Sequence, residues 1–243
     1  MSSLRISWGL VAAVAVFSLR SGTPLPPGVA ALLAWGAGLW VGLLAFGESG
    51  AAPASGRFCA ALALGGLAAH LGWCALLPLH AAARPSLLWA PVGFSGVFVP
   101  LGALAAAPRG AGRPSFLAAA VPALLVGLAL ARLGCLLAGC CPGAPSSLAW
   151  ALGGRHPVRW LEVLGLLGLA RIAGSLPQGQ AAPLALGGFG LLRLLLLPLR
   201  EVAGGAVARL SVGVLDAAWF GTGLLWLFRS RLASPRLSRG ASS

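Results

Sequence analysis

The chain has 243 residues, of which 58% are hydrophobic and only 9% are charged. Soluble domains usually carry about a quarter charged residues, so this composition excludes an ordinary soluble protein and predicts one integral membrane domain, residues 1–243. The formal net charge is +13, but the arginines lie between apolar runs rather than in clusters, which argues against a nucleic-acid partner and fits the orientation of membrane spans.

Long apolar runs predict an all-α fold, a polytopic integral membrane bundle of seven transmembrane helices. A helix needs about 20 apolar residues to cross the hydrocarbon core of a bilayer. A shorter run at residues 6–19 is an eighth span, an interfacial segment or a signal-like segment, so residues 1–27 stay open. Breaks that contain Arg, Pro, Gly or Ser separate the seven runs, which are residues 28–46, 58–79, 87–107, 115–131, 160–176, 181–199 and 210–228.

The C-terminal tail, residues 229–243, carries four arginines and no acidic residue. Because cytoplasmic segments are enriched in Lys and Arg, we predict that this tail lies in the cytoplasm, beneath a bacterial plasma (inner) membrane. Counting the spans back from the tail puts the longest loop, residues 132–159, on the periplasmic side. A site built from that loop would face the periplasm.

Arg193 is the most informative charged residue of the predicted spans. It lies in a run of leucines, with no acidic residue three or four positions away on either side. A charge in the hydrocarbon region costs about 3 kcal/mol or more unless it is paired or solvated in a cavity. Arg193 therefore needs an anion, and two sources stay open. One is a structural ion pair with Glu162 or Asp216, and the other is a bound lipid phosphate.

Four motifs follow one another in the second half of the chain. Residues 131–143 read Ala-Arg-Leu-Gly-Cys-Leu-Leu-Ala-Gly-Cys-Cys-Pro-Gly, residues 155–162 read Arg-His-Pro-Val-Arg-Trp-Leu-Glu, residues 193–200 have Arg at both ends, and residues 210–214 read Leu-Ser-Val-Gly-Val. Their order and spacing resemble the prolipoprotein diacylglyceryl transferase family. The family versions are Gly-Arg-Ile-Gly-Asn-Phe-x-x-Gly-Glu-x-x-Gly, Arg-His-Pro-x-Gln-Leu-Tyr-Glu, Arg-x-x-x-Glu-Phe-x-Arg and Leu-Ser-Met-Gly-Gln. The resemblance covers residues 132–228, and the first hundred residues are similar only in hydropathy.

The resemblance implies transfer of an sn-1,2-diacylglyceryl group from phosphatidylglycerol to the lipobox cysteine of a prolipoprotein signal peptide, a step of lipoprotein biosynthesis. Glycerol phosphate would leave, and Arg132 and Arg193 would stabilise its charge. The five cysteines form no Cys-x-x-Cys pair and no zinc spacing, so neither a metal nor a dissociable cofactor is implied. The substrate-binding residues that we predict are Gly134, Gly139, Gly143, Arg155, Arg200 and Ser95.

The sequence departs from the family in its proton-handling residues. Cys135 stands at the family's Asn, Cys140 at its Glu, and Leu197 at the acidic residue four positions after the buried Arg. The His of the family's Phe-His-Gly-Gly stretch aligns best with Ser95. The phosphate-binding half of the site is therefore retained, and the half that would deprotonate the acceptor thiol is replaced.

Two residues are candidates for the missing base, His156 and Glu162, so we include both among the predicted catalytic residues. Each has a structural alternative. His156 precedes Pro157 and could cap the start of a helix. Glu162 lies one or two helical turns from Arg155 and Arg159 and could form an ion pair with either.

Two rival functions use the same residues differently. Residues 93–96 read Gly-Phe-Ser-Gly, which is similar to the motif of rhomboid intramembrane serine proteases. Such a protease needs a later helix-borne His to pair with Ser95, and the only later His is His156, in a loop motif. A non-catalytic phospholipid-binding or transport protein would need only the arginines and a cavity.

Overall fold

A computed structural model describes residues 55–81, 99–137, 143–201 and 205–232, together with Leu43 and Phe46. Every regular element within these ranges is a helix, which confirms the all-α class. The helices are α1 (Ser55–Ala81), α2 (Val99–Ala106), α3 (Gly112–Leu137), α4 (Val158–Gly174), α5 (Gln178–Leu196) and α6 (Gly205–Leu232). A short 3-10 turn, Leu197–Leu199, extends α5.

Three helical segments of the described chain are long and apolar enough to cross a membrane: Gly112–Leu133, Gln178–Leu199 and Arg209–Arg231. They coincide with the predicted spans 115–131, 181–199 and 210–228, as expected of a membrane protein.

The remaining predicted spans fit the described helices less closely. Helix α1 encloses the predicted span 58–79, and α2 lies within the span predicted at 87–107, of which residues 87–98 lie outside the described residues. Helix α4 coincides with the predicted span 160–176, but its 17 residues fall short of the about 20 that a full crossing needs. The 6–19 run and most of the 28–46 run lie outside the described residues.

Helix α5 is central to the described part of the bundle, where it packs against α3, α4 and α6. It packs especially closely on α6, since a Cβ atom at Gly190 would overlap the backbone of Asp216 and Phe220. Small residues allow this approach, and in a membrane close backbone packing replaces the hydrophobic force that drives helices together in water.

Two apolar clusters lie along α3. The inner cluster joins the second half of α3 to α4 and α5 and includes Leu130, Leu166 and Phe189. The aromatic cluster joins the first half of α3 to α1 around Phe58 and Phe116. There the rings of Phe46 and Phe58 stack, with their centroids 4.4 Å apart and their planes 6° apart. The two halves of α3 thus pack against different helices.

Candidate functional site

Charged residues from four helices meet at one end of the bundle. Arg132 lies near the end of α3 and Glu162 near the start of α4, on either side of the loop that joins these helices. Arg193 lies in the last turn of α5, Arg200 directly follows its 3-10 extension, and Asp216 lies in the first half of α6. Because consecutive helices run in opposite directions, residues next to the same connecting loops come close together.

Glu162 is the centre of this group. It is buried, and its Oε1 atom lies 2.8 Å from Arg200 Nη2, 3.3 Å from Arg132 Nε and 3.5 Å from Arg193 Nη1. Three guanidinium groups therefore surround one carboxylate oxygen. We call Arg132, Arg193, Arg200, Glu162 and Asp216 the arginine cluster.

Arg193 takes its anions from two other helices. Its Nε donates a hydrogen bond of 2.5 Å to Asp216 Oδ1, in addition to its contact with Glu162. Arg193 is 4% exposed and Asp216 is completely buried, and the guanidinium lies 5.6 Å from the centroid of the Phe189 ring. Of the two sources of an anion left open by the sequence, the ion pair is present, and it involves both candidate acids.

The arginine cluster is not electrically balanced by its own acids. Three arginines and two carboxylates leave one formal positive charge. The buried Nε of Arg200 also has no hydrogen-bond acceptor within the described part of the chain. A buried cation with an unused donor is costly unless an anion or water satisfies it. The cluster therefore has both the charge and the donor capacity to hold one more anion.

A loop, residues 143–157, covers one side of the cluster. Arg155 Nη1 donates to the Gly143 carbonyl at 3.0 Å and also contacts the Glu201 carboxylate. The Ala144 amide donates to the Leu199 carbonyl at 2.8 Å, which fastens the loop to the end of α5. These contacts place Arg155 in a clasp that holds the loop to the helix ends.

Gly143 is required in this loop by a close approach. A Cβ atom at Gly143 would overlap the carbonyl oxygen of His156, so no other residue fits without a shift of the backbone. In the structure its lack of a side chain allows the two ends of the loop to pair. The approach of Gly143 to a lipid head group stays a prediction.

His156 lies at the junction of this loop and α4. Its Nδ1 atom is buried and accepts no hydrogen bond from the described residues, and its ring centroid lies 5.0 Å from that of Trp150. The imidazole therefore lies against Trp150, and its Nδ1 atom has no hydrogen-bond partner within the described part of the chain. The neighbouring Trp150 had no signal in the sequence.

The structure brings together four of the predicted site residues, Arg132, Arg193, Arg200 and Glu162. The Arg155–Glu201 clasp was missed, although Glu201 directly follows a motif arginine and its charge is a signal that could have suggested a pair. Gly134 lies in the last turn of α3. Gly139, Ser95, Cys140 and Cys141 lie outside the described residues.

No protein-family model matches this chain, and no curated protein matches it either. Among the residues that the structure describes, no three His, Cys, Asp or Glu side chains gather as metal ligands. The arginine cluster and the sequence motifs that contain its residues are therefore the observations that bear on function.

Proposed function

We propose that the protein transfers an sn-1,2-diacylglyceryl group from phosphatidylglycerol to the lipobox cysteine of a prolipoprotein. The observation that carries the proposal is the arginine cluster, in which Arg132, Arg193 and Arg200 gather at one buried point with one positive charge in excess. The phosphodiester of phosphatidylglycerol carries one negative charge and two free oxygens, so its charge matches that excess. Guanidinium groups bind such oxygens with directed, charge-assisted hydrogen bonds.

In the reaction, the cysteine sulfur attacks the glycerol carbon that carries the phosphate. A carbon–sulfur bond forms, the carbon–oxygen bond breaks, and glycerol phosphate leaves with the bonding electrons. Negative charge grows on the leaving phosphate in the transition state, where positioned cations lower the barrier. The proton of the acceptor thiol must go to a base, because the thiolate is the nucleophile.

We assign the role of base to His156 and that of counter-ion to Glu162. The carboxylate of Glu162 already contacts three arginines, which suits a group that balances their charge before the lipid binds. His156 Nδ1 has no hydrogen-bond partner among the described residues, so this ring nitrogen is not committed to a structural hydrogen bond. A positioned base typically contributes a factor of about 100 to 10,000 in rate, so His156→Gln should lower transfer by roughly that factor.

We further propose a bundle of seven transmembrane helices in a bacterial inner membrane, with the C-terminus in the cytoplasm and the arginine cluster facing the periplasm. The arginines of the last helix support this orientation. Arg229 and Arg231 lie in the last turn of α6, whereas Asp216 lies toward its other end. If the arginine-rich end is cytoplasmic, the arginine cluster belongs to the opposite half of the membrane.

A transfer assay tests the proposed function. Purified full-length protein in micelles that contain phosphatidylglycerol is mixed with a lipobox peptide, and the peptide is analysed by mass spectrometry. We expect a diacylglyceryl thioether on the peptide cysteine, and we expect none with Arg193→Ala. Arg171→Ala is the matched control, because Arg171 is exposed in the last turn of α4, away from the cluster.

Full activity of Arg193→Ala would contradict the proposed site. If the folded wild-type protein binds phosphatidylglycerol but forms no thioether, the second candidate function holds, a non-catalytic phospholipid-binding or transport protein. The observation that favours this candidate is Leu197, which places an aliphatic side chain where the transferase motif has an acid.

A further inference from the structure

Arg132, Arg193 and Arg200 each contact the same atom of Glu162, Oε1. Only the contact of Arg200 Nη2, at 2.8 Å, has the length usual for a charge-assisted hydrogen bond, about 2.7–2.9 Å. The contacts of Arg132 and Arg193 are longer, at 3.3 Å and 3.5 Å. One carboxylate oxygen is thus shared by three guanidinium groups, and only one of the three contacts has the usual length of a charge-assisted hydrogen bond. The point at which the three groups converge is where a phosphate oxygen would be held best.

We infer that the Glu162 carboxylate is an internal anion that occupies a phosphate site, and that a phosphate group binds the arginine cluster by displacing it. The ligand class is a phosphate oxyanion, either free in solution or in a lipid head group. The inference rests on the proposed function only for the expectation that phosphatidylglycerol is the natural ligand. It deepens that function by making Glu162 a competitor that keeps the site closed until phosphate arrives.

The number of acceptors favours the exchange for any phosphate group, and charge favours it for a phosphate monoester. Without the contribution of Glu162, the three arginines and Asp216 carry a formal charge of +2. A phosphate monoester with two negative charges neutralises this, and a diester leaves +1. A phosphate group also has several oxygens, so that each arginine could receive its own acceptor, including the unused Nε of Arg200.

The two acids of the cluster differ in a way that fits these separate roles. Asp216 is completely buried and lies 2.5 Å from Arg193, so it holds that guanidinium whether or not Glu162 is present. Glu162 is close to the start of α4, next to the loop that covers the cluster. A change of its side-chain rotamer would free the converging arginines without movement of α4.

Phosphate binding to the Glu162→Gln variant tests the inference. Full-length protein in a neutral detergent is unfolded by heat at increasing concentrations of inorganic phosphate, with sodium chloride at the same ionic strength as reference. A ligand that binds the folded state raises the melting temperature according to its concentration relative to Kd. We expect Glu162→Gln to unfold at a lower temperature without phosphate and to bind phosphate about tenfold or more tightly than wild type.

Arg171→Gln is the control, because it also changes one charge on α4, and Arg171 is exposed in the last turn of that helix, away from the cluster. We expect its phosphate affinity to equal that of wild type. If Glu162→Gln does not fold, Glu162→Asp keeps the charge and withdraws the carboxylate by one methylene. We expect this variant to bind phosphate more tightly than wild type, by a smaller factor.

Equal or weaker phosphate binding by the Glu162 variants that fold would overturn the inference, since a competitor cannot be removed without a gain in affinity. Glycerol phosphate and micelles that contain phosphatidylglycerol form two further arms of the titration. A gain in all arms identifies a general phosphate site, and a gain with phosphatidylglycerol alone identifies a head-group site. If Glu162→Gln binds phosphate more tightly but the wild-type protein forms no thioether product, the transferase is refuted and this inference stands. If the wild-type protein forms the product but Glu162→Gln shows no gain in affinity, this inference is refuted and the transferase stands.

Discussion

The two ends of α3 lie in different kinds of surroundings. Phe116 and Leu117, near its start, belong to the aromatic cluster, whereas Arg132, near its end, belongs to the arginine cluster. At a rise of about 1.5 Å per residue, Leu117 and Arg132 are about 22 Å apart. One end is therefore held by the packing of apolar side chains alone, and the other by ion pairs next to the inner cluster.

This difference predicts which substitutions each end of α3 should tolerate. Apolar side chains of similar volume replace one another at a cost of less than about 1.5 kcal/mol, because the total volume and the apolar character remain. Removal of one partner from a buried ion pair costs about 3–5 kcal/mol, because the other charge is left uncompensated. The stability of the aromatic cluster should therefore depend on side-chain volume, and that of the arginine cluster on whether each buried charge keeps a partner.

The largest effect is expected when a buried ion pair is broken and then removed as a whole. Arg193→Met leaves the completely buried Asp216 carboxylate without its Arg193 partner, and we expect it to lower the free energy of unfolding by about 3–5 kcal/mol. Combining it with Asp216→Leu removes one charge of each sign, so the remaining cluster keeps its formal +1. We expect the double variant to recover most of the lost stability and to remain without transfer activity.

Thermal or denaturant unfolding in detergent measures the first part of this prediction, and the thioether assay measures the second. Phe58→Leu is the corresponding change in the aromatic cluster, where we expect a small loss of stability and retained transfer. A double variant as unstable as Arg193→Met alone would show that the unpaired charge of Asp216 is not the cause of the lost stability.

A smaller effect on activity is expected from the partner of Arg193. In Asp216→Asn the amide can still accept from Arg193, but without charge, and we expect transfer to fall by about 10- to 100-fold as the guanidinium loses its fixed position. Leu197 lies four residues after Arg193, and its Cδ2 atom faces Gly213 on α6, one turn before Asp216. An acid at position 197 would therefore reach the same seam between α5 and α6.

Asp216→Asn combined with Leu197→Glu tests this replacement. We expect the double variant to regain most of the transfer rate that Asp216→Asn loses, with little change in the KM for phosphatidylglycerol. Leu195→Glu is the control, since residue 195 is exposed and lies on another face of α5. The assignment of Asp216 as a positioning residue fails if Leu197→Glu gives no recovery or if Leu195→Glu recovers the rate equally well.

Much of the arrangement could be predicted from the sequence, and the limits have physical causes. Leucine runs and their breaks determine where helices begin and end, and three predicted spans agree with described helices. The need of Arg193 for an anion followed from the cost of an unpaired charge, which is a local property. The convergence on one oxygen of Glu162 depends on how α3, α4 and α5 are rotated about their axes, and composition alone does not fix such rotations.

The rim of the site was harder to predict for a related reason. Arg155 has acidic neighbours both along α4 and beyond α5, and the loop geometry selects Glu201. His156 was identified from its motif, but the Trp150 ring beside it comes from a loop without periodicity. Helices with a periodic pattern and the positions of charged residues can therefore be predicted from the sequence. Contacts made by residues in irregular loops depend on the whole fold and cannot.

The smallest effects, and the sharpest comparison, come from two glycines in equally close helix contacts. A Cβ atom at Gly190 would overlap the backbone of Asp216 and Phe220, and one at Gly102 would overlap the backbone of Gly65 and Ala61. Overpacking of this kind costs about 1–3 kcal/mol, so both Gly190→Ala and Gly102→Ala should lower the melting temperature.

Only Gly190→Ala moves the helix that carries Asp216, because Gly102 lies where α2 contacts α1, near the aromatic cluster. We therefore expect Gly190→Ala to lower transfer several-fold at a temperature at which both variants are folded, and Gly102→Ala to leave it unchanged. Equal losses of transfer would mean that the two ends of the bundle are mechanically coupled, and that the charge-held end does not act as a separate unit.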